Sequence, residues 1–363
     1  MKKVLPIVLT ILVVGLASYL ALTRWNWLRN LVNPPEPSRE AWVAYLSPTY
    51  GAHQLWARPV SGGSALRLSA VEGSVLEYGA ARDGNQVAFT AENQQGGADL
   101  WLVNRQGKKQ RRLVECGAQR CASPAWNPDG KTLVYVRANA PVNGPFPTGE
   151  LWLVDLATGQ TAPIQRAQMV HGSEPIWSPD GSRLAFYDPD VKGLRLLSWQ
   201  GKTEVRLEPI EPGPVSFSPD GNRVAYLSPA MDGFVPYNRV VVYDFKTQAI
   251  QTFLGKGEGV MDYSLPFWSP DGKEIAVGMR PPMGNPAREI WLLKADGTPV
   301  KKLLADASQN YAVAGWEASG ERLLLQQSSM MSLKEPSKVV VWERGSGEAR
   351  ILAEDGLWPN WLP

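Results

Sequence analysis

The feature that most constrains this chain is a short motif that recurs along most of its length. The motif begins with an aromatic residue and ends in Pro-Asp-Gly in its four clear copies. Two weaker copies keep the final glycine. The clear copies occupy residues 126–130, 177–181, 217–221 and 268–272, and the weaker ones occupy 80–84 and 316–320. Successive copies start 40 to 51 residues apart, so the chain repeats one small unit.

Each unit predicts four antiparallel strands, which we call a to d. Pro-Asp-Gly suits a tight turn between strands a and b, because proline fixes φ, aspartate bonds the nearby backbone and glycine adopts positive φ. An apolar triplet, strand b, begins three residues after each glycine, and a second apolar run, strand c, comes farther on. Four short strands with this period are typical of a β-propeller blade.

The two ends of the chain each carry part of one further unit. Trp361-Leu362-Pro363 matches the beginning of the motif, whereas Trp42-Val43-Ala44-Tyr45 supplies a triplet with no motif before it. We expect the carboxy-terminal residues to form strand a beside strands b to d from the other end, which closes the ring and protects its edges. The fold class predicted is all-β, a seven-bladed β-propeller over residues 41–363. Six blades are the alternative, if the unit at Ala80 is too degenerate.

The amino-terminal residues predict a membrane anchor. From Val4 to Leu22 the chain has 19 residues without a charge, about 28 Å as a helix, close to the roughly 30 Å hydrocarbon core. Lys2 and Lys3 favour an amino end in the cytoplasm. We expect residues 1–30 to form a signal-anchor transmembrane helix with its flanks, residues 31–40 a Pro-rich linker, and the propeller to lie outside the cytoplasm. A cleaved signal peptide is the alternative.

The repeats resemble the TolB-like β-propeller repeat family, whose mark is Trp-Ser-Pro-Asp-Gly followed by an apolar triplet and a Leu-Tyr/Trp run. The resemblance covers residues 41–363. It implies a propeller that serves as a periplasmic binding scaffold, as half of a serine peptidase, or as an accessory of a sensor or transport system. Because a short linker joins the predicted anchor to the first strand, we expect neither the amino-terminal α/β domain of the TolB pattern nor a peptidase domain.

Known catalytic motifs do not fit this sequence. A peptidase of the α/β-hydrolase type needs a Gly-x-Ser-x-Gly elbow and a downstream histidine, and neither His53 nor His171 accompanies such an elbow. We interpret the repeated carboxylates as turn residues rather than general acids: Asp129, Asp180, Asp220 and Asp271. The sequence predicts no catalytic residue, no cofactor and no metal site, so we do not expect an enzyme.

The cysteine content and the net charge argue against a zinc site and against a nucleic-acid partner. Cys116 and Cys121 are too few for a zinc site, and outside the cytoplasm they predict a disulfide that shapes one loop. A net charge of +2 without a long basic run gives no footprint for nucleic acid.

Long b–c loops point to a binding face. They span residues 138–150, 228–238, 280–289 and 326–338, and the topology places all of them at the same end of the blades. Exposed methionine and aromatic side chains among proline and glycine are suited to protein contact, although the loops could instead pack on one another. The candidate partner-binding residues are Phe146, Met231, Phe234, Tyr237, Met283, Met330 and Met331.

The d–a loops approach the central channel at the same end. Their carboxylates could hold a cation or a cationic ligand, although solvated loop acids are the alternative interpretation. The candidate residues for the channel mouth are Glu77, Tyr78, His171, Glu174, Asp262, Tyr263, Tyr311 and Trp358.

Taken together, the sequence predicts a propeller anchored in the cell membrane and lying outside the cytoplasm. We expect it to bind protein partners of the envelope or membrane, as a scaffold or accessory subunit, through its long b–c loops. The alternative is a propeller enzyme, or a binder of a small ligand or metal, that works at the channel mouth.

Overall fold

The strands of the structure follow the repeat of the sequence. The computed structural model describes residues 40–140, 146–165, 168–201, 204–207, 210, 213–253, 260–283 and 287–363. Within these ranges the chain forms 29 strands and no helix. No helix in them is long and apolar enough to span a membrane. The predicted anchor, Val4 to Leu22, and the linker before Glu40 lie outside the described residues.

Consecutive strands pair antiparallel in sets of four, which we call blades and number along the chain. The first blade contains β1 (Trp42–Ser47), β2 (Gln54–Pro59) and β3 (Leu66–Arg67). The second contains β4 (Val75–Ala80), β5 (Gln86–Glu92), β6 (Ala98–Asn104) and β7 (Arg111–Val114). The third contains β8 (Gln119–Trp126), β9 (Thr132–Asn139), β10 (Gly149–Asp155) and β11 (Thr161–Pro163). The fourth contains β12 (His171–Trp177), β13 (Arg183–Asp188), β14 (Gly193–Ser198) and β15 (Glu204–Leu207).

The remaining strands continue this order. The fifth blade contains β16 (Ser216–Phe217), β17 (Arg223–Asp232), β18 (Val235–Asp244) and β19 (Ile250–Thr252). The sixth has a divided inner strand and contains β20 (Asp262–Tyr263), β21 (Phe267–Trp268), β22 (Glu274–Arg280), β23 (Glu289–Lys294) and β24 (Pro299–Leu304). The seventh contains β25 (Gln309–Trp316), β26 (Arg322–Ser329), β27 (Lys338–Glu343) and β28 (Ala349–Ala353). The last strand, β29 (Leu357–Leu362), returns to the first blade.

Strand β29 closes the ring as strand a of the first blade. It pairs antiparallel with β1, and Trp361 lies opposite Val43. It also contacts β25 of the seventh blade and β4 of the second, which are the inner strands on either side. Hydrophobic clusters lie between neighbouring blades, and one of them joins Val43 and Trp361 to Leu324 and Val341 of the seventh blade. The architecture is therefore an all-β propeller whose core lies between its blades.

In three blades the recurring tryptophan joins its blade to the one before it through a hydrogen bond. At the end of strand a, the indole Nε1 of Trp126 donates to the carbonyl of Gly79 at 2.8 Å. Trp361 donates in the same way to Gly315 at 3.0 Å. At these positions a large apolar ring with one donor combines packing with a hydrogen bond, whereas the buried indole Nε1 atoms of Trp177 and Trp268 have no hydrogen-bond partner among the described residues.

The Ser-Pro-Asp-Gly turns are held by their own side chains. In the fifth blade the buried hydroxyl of Ser218 donates to Asp220 Oδ1 at 2.6 Å and accepts from the backbone N–H of Arg223 at 2.9 Å. Hydrogen bonds from Asn222 and Ser218 lower the pKa of Asp220 to about 2. Gly221 has a φ of 67°, which completes the turn. These carboxylates are engaged inside turns, and this geometry gives them a structural role.

Cys116 and Cys121 are joined by a disulfide that ties the end of the second blade to the third. Cys116 follows β7, whereas Cys121 lies inside β8 opposite Arg137, so the second cysteine belongs to a strand rather than to the loop that we expected. Both residues are buried in the cluster between these two blades. The bridge therefore fixes the connection that leads into the inner strand β8.

Candidate functional site

The b–c connection of the fifth blade is a regular hairpin rather than a loop. Residues 228–238 were expected to form a loop, but β17 and β18 remain paired as far as Asp232 and Val235. Gly233 and Phe234 form the two-residue turn, and Gly233 has a φ of 58°, which such hairpin turns favour. The proline and glycine residues of this segment are typical of a loop. In the structure the prolines lie on the edges of the two-stranded ribbon and Gly233 lies at its tip. The hairpin therefore projects its side chains from a rigid support.

Apolar side chains are exposed at this end of the blades. Phe234 at the hairpin tip is 99% exposed, and Met231 beside it is 60% exposed. Met283 and Met331, from the b–c connections of the sixth and seventh blades, are 71% and 82% exposed. Three of the predicted contact residues are instead half-buried: Phe146, Tyr237 and Met330. Exposed apolar groups of this size are a feature of contact surfaces.

The outward-facing edges of the hairpin carry few free N–H groups. In the observed register, Met231 with Pro236 and Pro229 with Asn238 form the pairs whose backbone groups point outward. The two prolines have no N–H to offer, and the N–H of Asn238 donates to Asp262 Oδ1 at 3.0 Å. Proline on an edge prevents pairing with another chain. Recognition by this hairpin therefore depends on its side chains.

Asp262 supports the hairpin and is not available at the channel mouth. It is 6% exposed, and its Oδ2 accepts from Arg280 Nε at 3.0 Å and Arg288 Nη2 at 2.7 Å. Burial lowers the pKa of Arg288, the charge of Asp262 raises it, and that of Arg280 lowers it further. Asp262 also lines a pocket of about 360 Å³ between the hairpin and the sixth blade, with Met231 and Tyr237. Its carboxylate is therefore occupied by two arginines and one backbone N–H.

A second group of polar residues links the inner strands of the second, third and fourth blades. Glu77 in β4 accepts from Arg120 and from the backbone N–H of Ser123, both in β8. The hydroxyl of Ser123 donates to Glu174 Oε1 in β12 at 2.8 Å. We call these four residues the inner-strand cluster. Two predicted mouth carboxylates, Glu77 and Glu174, are thus brought together, while Asp262 belongs to another contact.

Glu174 has the most altered acidity in this cluster. Burial raises its pKa, the nearby charge of Glu77 raises it further, and together they bring it to about 7. The hydrogen bond from Ser123 and the charge of Arg120 act in the opposite direction. A carboxyl group with a pKa near neutrality can gain or lose a proton under physiological conditions. Strongly perturbed acids are found both at functional sites and in structural networks.

The inner strands carry bulges at the cluster and at one further position. Ser123, Glu174 and Trp358 have φ values of 46°, 50° and 46°, in the left-handed region that side chains rarely adopt. Each precedes a proline and lies three residues before a tryptophan. The pairing shifts at all three places, as in a β-bulge. The pattern x-Pro-x-Trp marks these positions in the sequence, and it also occurs at residues 265–268, where the first residue does not have a positive φ.

The other predicted mouth residues have different surroundings. The hydroxyl of Tyr78 donates to the carbonyls of Ala44 at 2.8 Å and Trp358 at 2.6 Å, so it joins the first and second blades. Tyr263 is 3% exposed and lies in the cluster between the fifth and sixth blades. His171 is exposed at the start of β12, and Tyr311 is half-buried in β25. In the described residues, no group of three His, Cys, Asp or Glu side chains could hold a metal ion.

No protein-family profile matches this sequence. Over 93 residues the chain is 29% identical to YuxL, an uncharacterised peptidase of Bacillus subtilis (strain 168). The match covers 25% of this chain and 14% of that protein, so the chain spans a small part of the curated relative.

Solved structures with a similar fold are β-propellers. The propeller domain of the Trilobed protease from Pyrococcus furiosus matches with a TM-score of 0.58 and 12% identity, covering 88% of this chain and 96% of that one. TolB from Acinetobacter baumannii matches with a TM-score of 0.49 and 16% identity, covering 76% of this chain and 67% of that one. At these identities the likeness concerns the fold. The chain is a β-propeller, and its structural neighbours include TolB and the propeller of a protease.

Proposed function

We propose that this protein is a seven-bladed propeller that binds protein partners of the cell envelope or membrane through its b–c connections. It acts in this proposal as a scaffold or accessory subunit and not as an enzyme. The observation that carries the proposal is the hairpin of the fifth blade, which projects a 99% exposed phenylalanine at its tip. Aromatic and methionine side chains supply much of the energy of protein interfaces.

The proposal also includes the location of the protein. Residues 4–22 would hold it in the cell membrane as a single-pass anchor, with the propeller outside the cytoplasm. This part rests on the uncharged run of 19 residues and on the two lysines before it. Protease protection of the propeller in sealed inverted vesicles, and its loss when detergent is added, would agree with this orientation.

Site-specific crosslinking in native membranes tests the partner face. A photo-crosslinking amino acid replaces Phe234 in one variant and exposed Ser319, in the a–b turn of the seventh blade, in the control. We expect a discrete crosslinked product at position 234 and none at position 319. Equal products at both positions, or none at either, would contradict a partner face at the hairpin end.

A second candidate function, a ligand site at the channel mouth, is favoured by one observation, the raised pKa of Glu174 beside Glu77. In that case a small ligand bound by the full chain would be lost in Glu174→Gln. The crosslink at position 234 would be unchanged in the same variant, so the two functions are separable.

A further inference from the structure

A short basic segment lies at the opposite end of the blades from the hairpin. Residues 105–112, in the c–d connection of the second blade, contain five cationic side chains and no acidic one. Three of the five make contacts within the chain, and Arg111 is one of them through the carbonyl of Leu156. Arg105 donates to the carbonyl of Pro363 at 2.7 Å, and Arg112 pairs with Asp99 at 3.2 Å and with Glu115 at 3.0 Å. The side chains of Lys108, Lys109 and Arg111 are exposed.

This segment borders a pocket of about 770 Å³ between the second and third blades. Three cationic residues line the pocket: Lys109 and Arg111 from the second blade and Lys131 from the third. One carboxylate, that of Asp155, lines it as well. The positive groups therefore come from two blades and face a common space.

The carboxylate of Asp155 is directed to its own turn. Its Oδ1 accepts from the backbone N–H groups of Ala157 at 3.1 Å and Thr158 at 2.8 Å, and from the Thr158 hydroxyl at 2.8 Å. These bonds lower the pKa of Asp155 and keep it ionised. In the described part of the chain, no salt bridge engages Lys109 or Lys131. A single occupied carboxylate therefore leaves an excess of positive charge in the pocket.

The rest of the lining can bind a ligand that also carries hydroxyl groups. The side-chain amides of Gln86 and Gln106 border the pocket, and no hydrogen bond within the described residues engages either of them. Leu102 is buried and provides an apolar floor. Arg111 donates to the carbonyl of Leu156 at 2.9 Å, which fixes its guanidinium between the blades.

We propose that this pocket binds a small phosphorylated sugar. The phosphate contacts Lys109, Lys131 and the remaining donors of Arg111, while the sugar hydroxyls contact the two glutamine amides. Cationic groups recognise phosphate by charge-assisted hydrogen bonds, and Arg111 is held in place to make them. The site does not depend on the partner face, because it lies at the turn end of the blades.

Calorimetric titration of the full chain in mild detergent tests the proposal, with glucose 6-phosphate as the probe. The double variant Lys109→Gln/Lys131→Gln should bind at least about tenfold more weakly, since it removes two charges from the pocket. The double variant Lys109→Arg/Lys131→Arg keeps the charges and should bind within about threefold of the parent. The control Lys301→Gln/Lys334→Gln removes two exposed lysines elsewhere and should bind like the parent.

Other probes test whether the pocket recognises the sugar, the phosphate or a phospholipid headgroup. Glucose should not bind, and inorganic phosphate should bind more weakly than glucose 6-phosphate, because each lacks one half of the contacts. Unchanged affinity in the Gln double variant, or no binding of glucose 6-phosphate to the parent, would overturn the proposal. Binding to phosphatidylglycerol vesicles without binding to glucose 6-phosphate would also overturn it and would indicate a lipid surface.

Discussion

The two ends of the blades are built in different ways. At the turn end, one motif repeats, and the turns of neighbouring blades are packed together, as the glycine of one turn lies against the proline or aspartate of the previous one. A methyl group on Gly221 would meet Asp180, and one on Gly272 would meet Pro219, both in ordinary contact. At the hairpin end, the connections vary in length and sequence. The turn end is therefore uniform where neighbouring blades pack together, whereas the hairpin end varies where apolar side chains are exposed.

The second blade is the exception at the turn end. Its motif, residues 80–84, keeps neither the aromatic residue nor the proline, and its c–d connection carries the basic segment. The proposed sugar-phosphate pocket lies where the repeat is weakest. The two proposed binding regions therefore both lie where the chain departs from the repeat.

The largest expected loss of stability comes from the tryptophan that closes the ring. Trp361 is 7% exposed, packs between the seventh and first blades, and donates to Gly315. Trp361→Ala should lower the free energy of unfolding by about 3–5 kcal/mol, as for other buried aromatic residues. Chemical denaturation of the full chain measures it, and exposed Trp358 in the same strand, as Trp358→Ala, is the control. Equal losses in both variants would contradict closure through Trp361.

Glu174 should make the free energy of unfolding depend on pH, and this is the next largest expected effect. Its pKa is raised in the folded state from 4.5 to about 7, so the folded protein binds this proton more tightly than the unfolded chain. The contribution is fully present below pH 4.5 and is lost as the pH rises through about 7. By the roughly 1.4 kcal/mol that each pKa unit represents, it amounts to no more than about 3.5 kcal/mol.

The variant Glu174→Gln should abolish this dependence. It retains an acceptor for Ser123 and removes the repulsion from Glu77, so at pH 8 it should be more stable than the parent. Denaturation curves between pH 4 and pH 8 measure the difference, with Glu321→Gln, an exposed residue of the seventh blade, as the control. A parent curve that is as flat as that of the variant would contradict the role of Glu174.

A smaller loss is expected in the repeated turn. Ser218→Ala removes the acceptor of the Arg223 N–H and one donor to Asp220 in a buried position. The unsatisfied groups should lower the free energy of unfolding by about 1–2 kcal/mol. Exposed Ser64 is the control as Ser64→Ala, and its change should be within about 0.5 kcal/mol. Thermal unfolding of the three proteins decides whether the turn hydroxyl stabilises the ring.

The repeat and its closure could be predicted from the sequence because they depend on local chemistry and on period. The turn motif specifies its own hydrogen bonds, and partial units at Trp42 and Trp361 indicate the pairing between them. The inner-strand cluster could not be predicted, because Glu77, Ser123 and Glu174 meet through the packing of three separate blades. The contacts of Asp262 could not be predicted for the same reason, since one of its two arginines lies in β22 and the other in the connection that follows β22.

The hairpin of the fifth blade should give the smallest change in stability and the largest change in partner binding. Phe234→Ser replaces a ring that is 99% exposed, so the free energy of unfolding should change by no more than about 0.5 kcal/mol. A shorter hairpin, made by removing Met231, Asp232, Val235 and Pro236, keeps Gly233-Phe234 as the turn between the next paired residues. It withdraws the tip by about 7 Å, two residues per strand. A photo-crosslinking amino acid in place of exposed Met283 reports partner binding in each of these variants. If the hairpin end is the recognition end, both hairpin variants lose the crosslinked partner, whereas Ser218→Ala keeps it. A partner retained by both hairpin variants would show that recognition does not follow the variable connections.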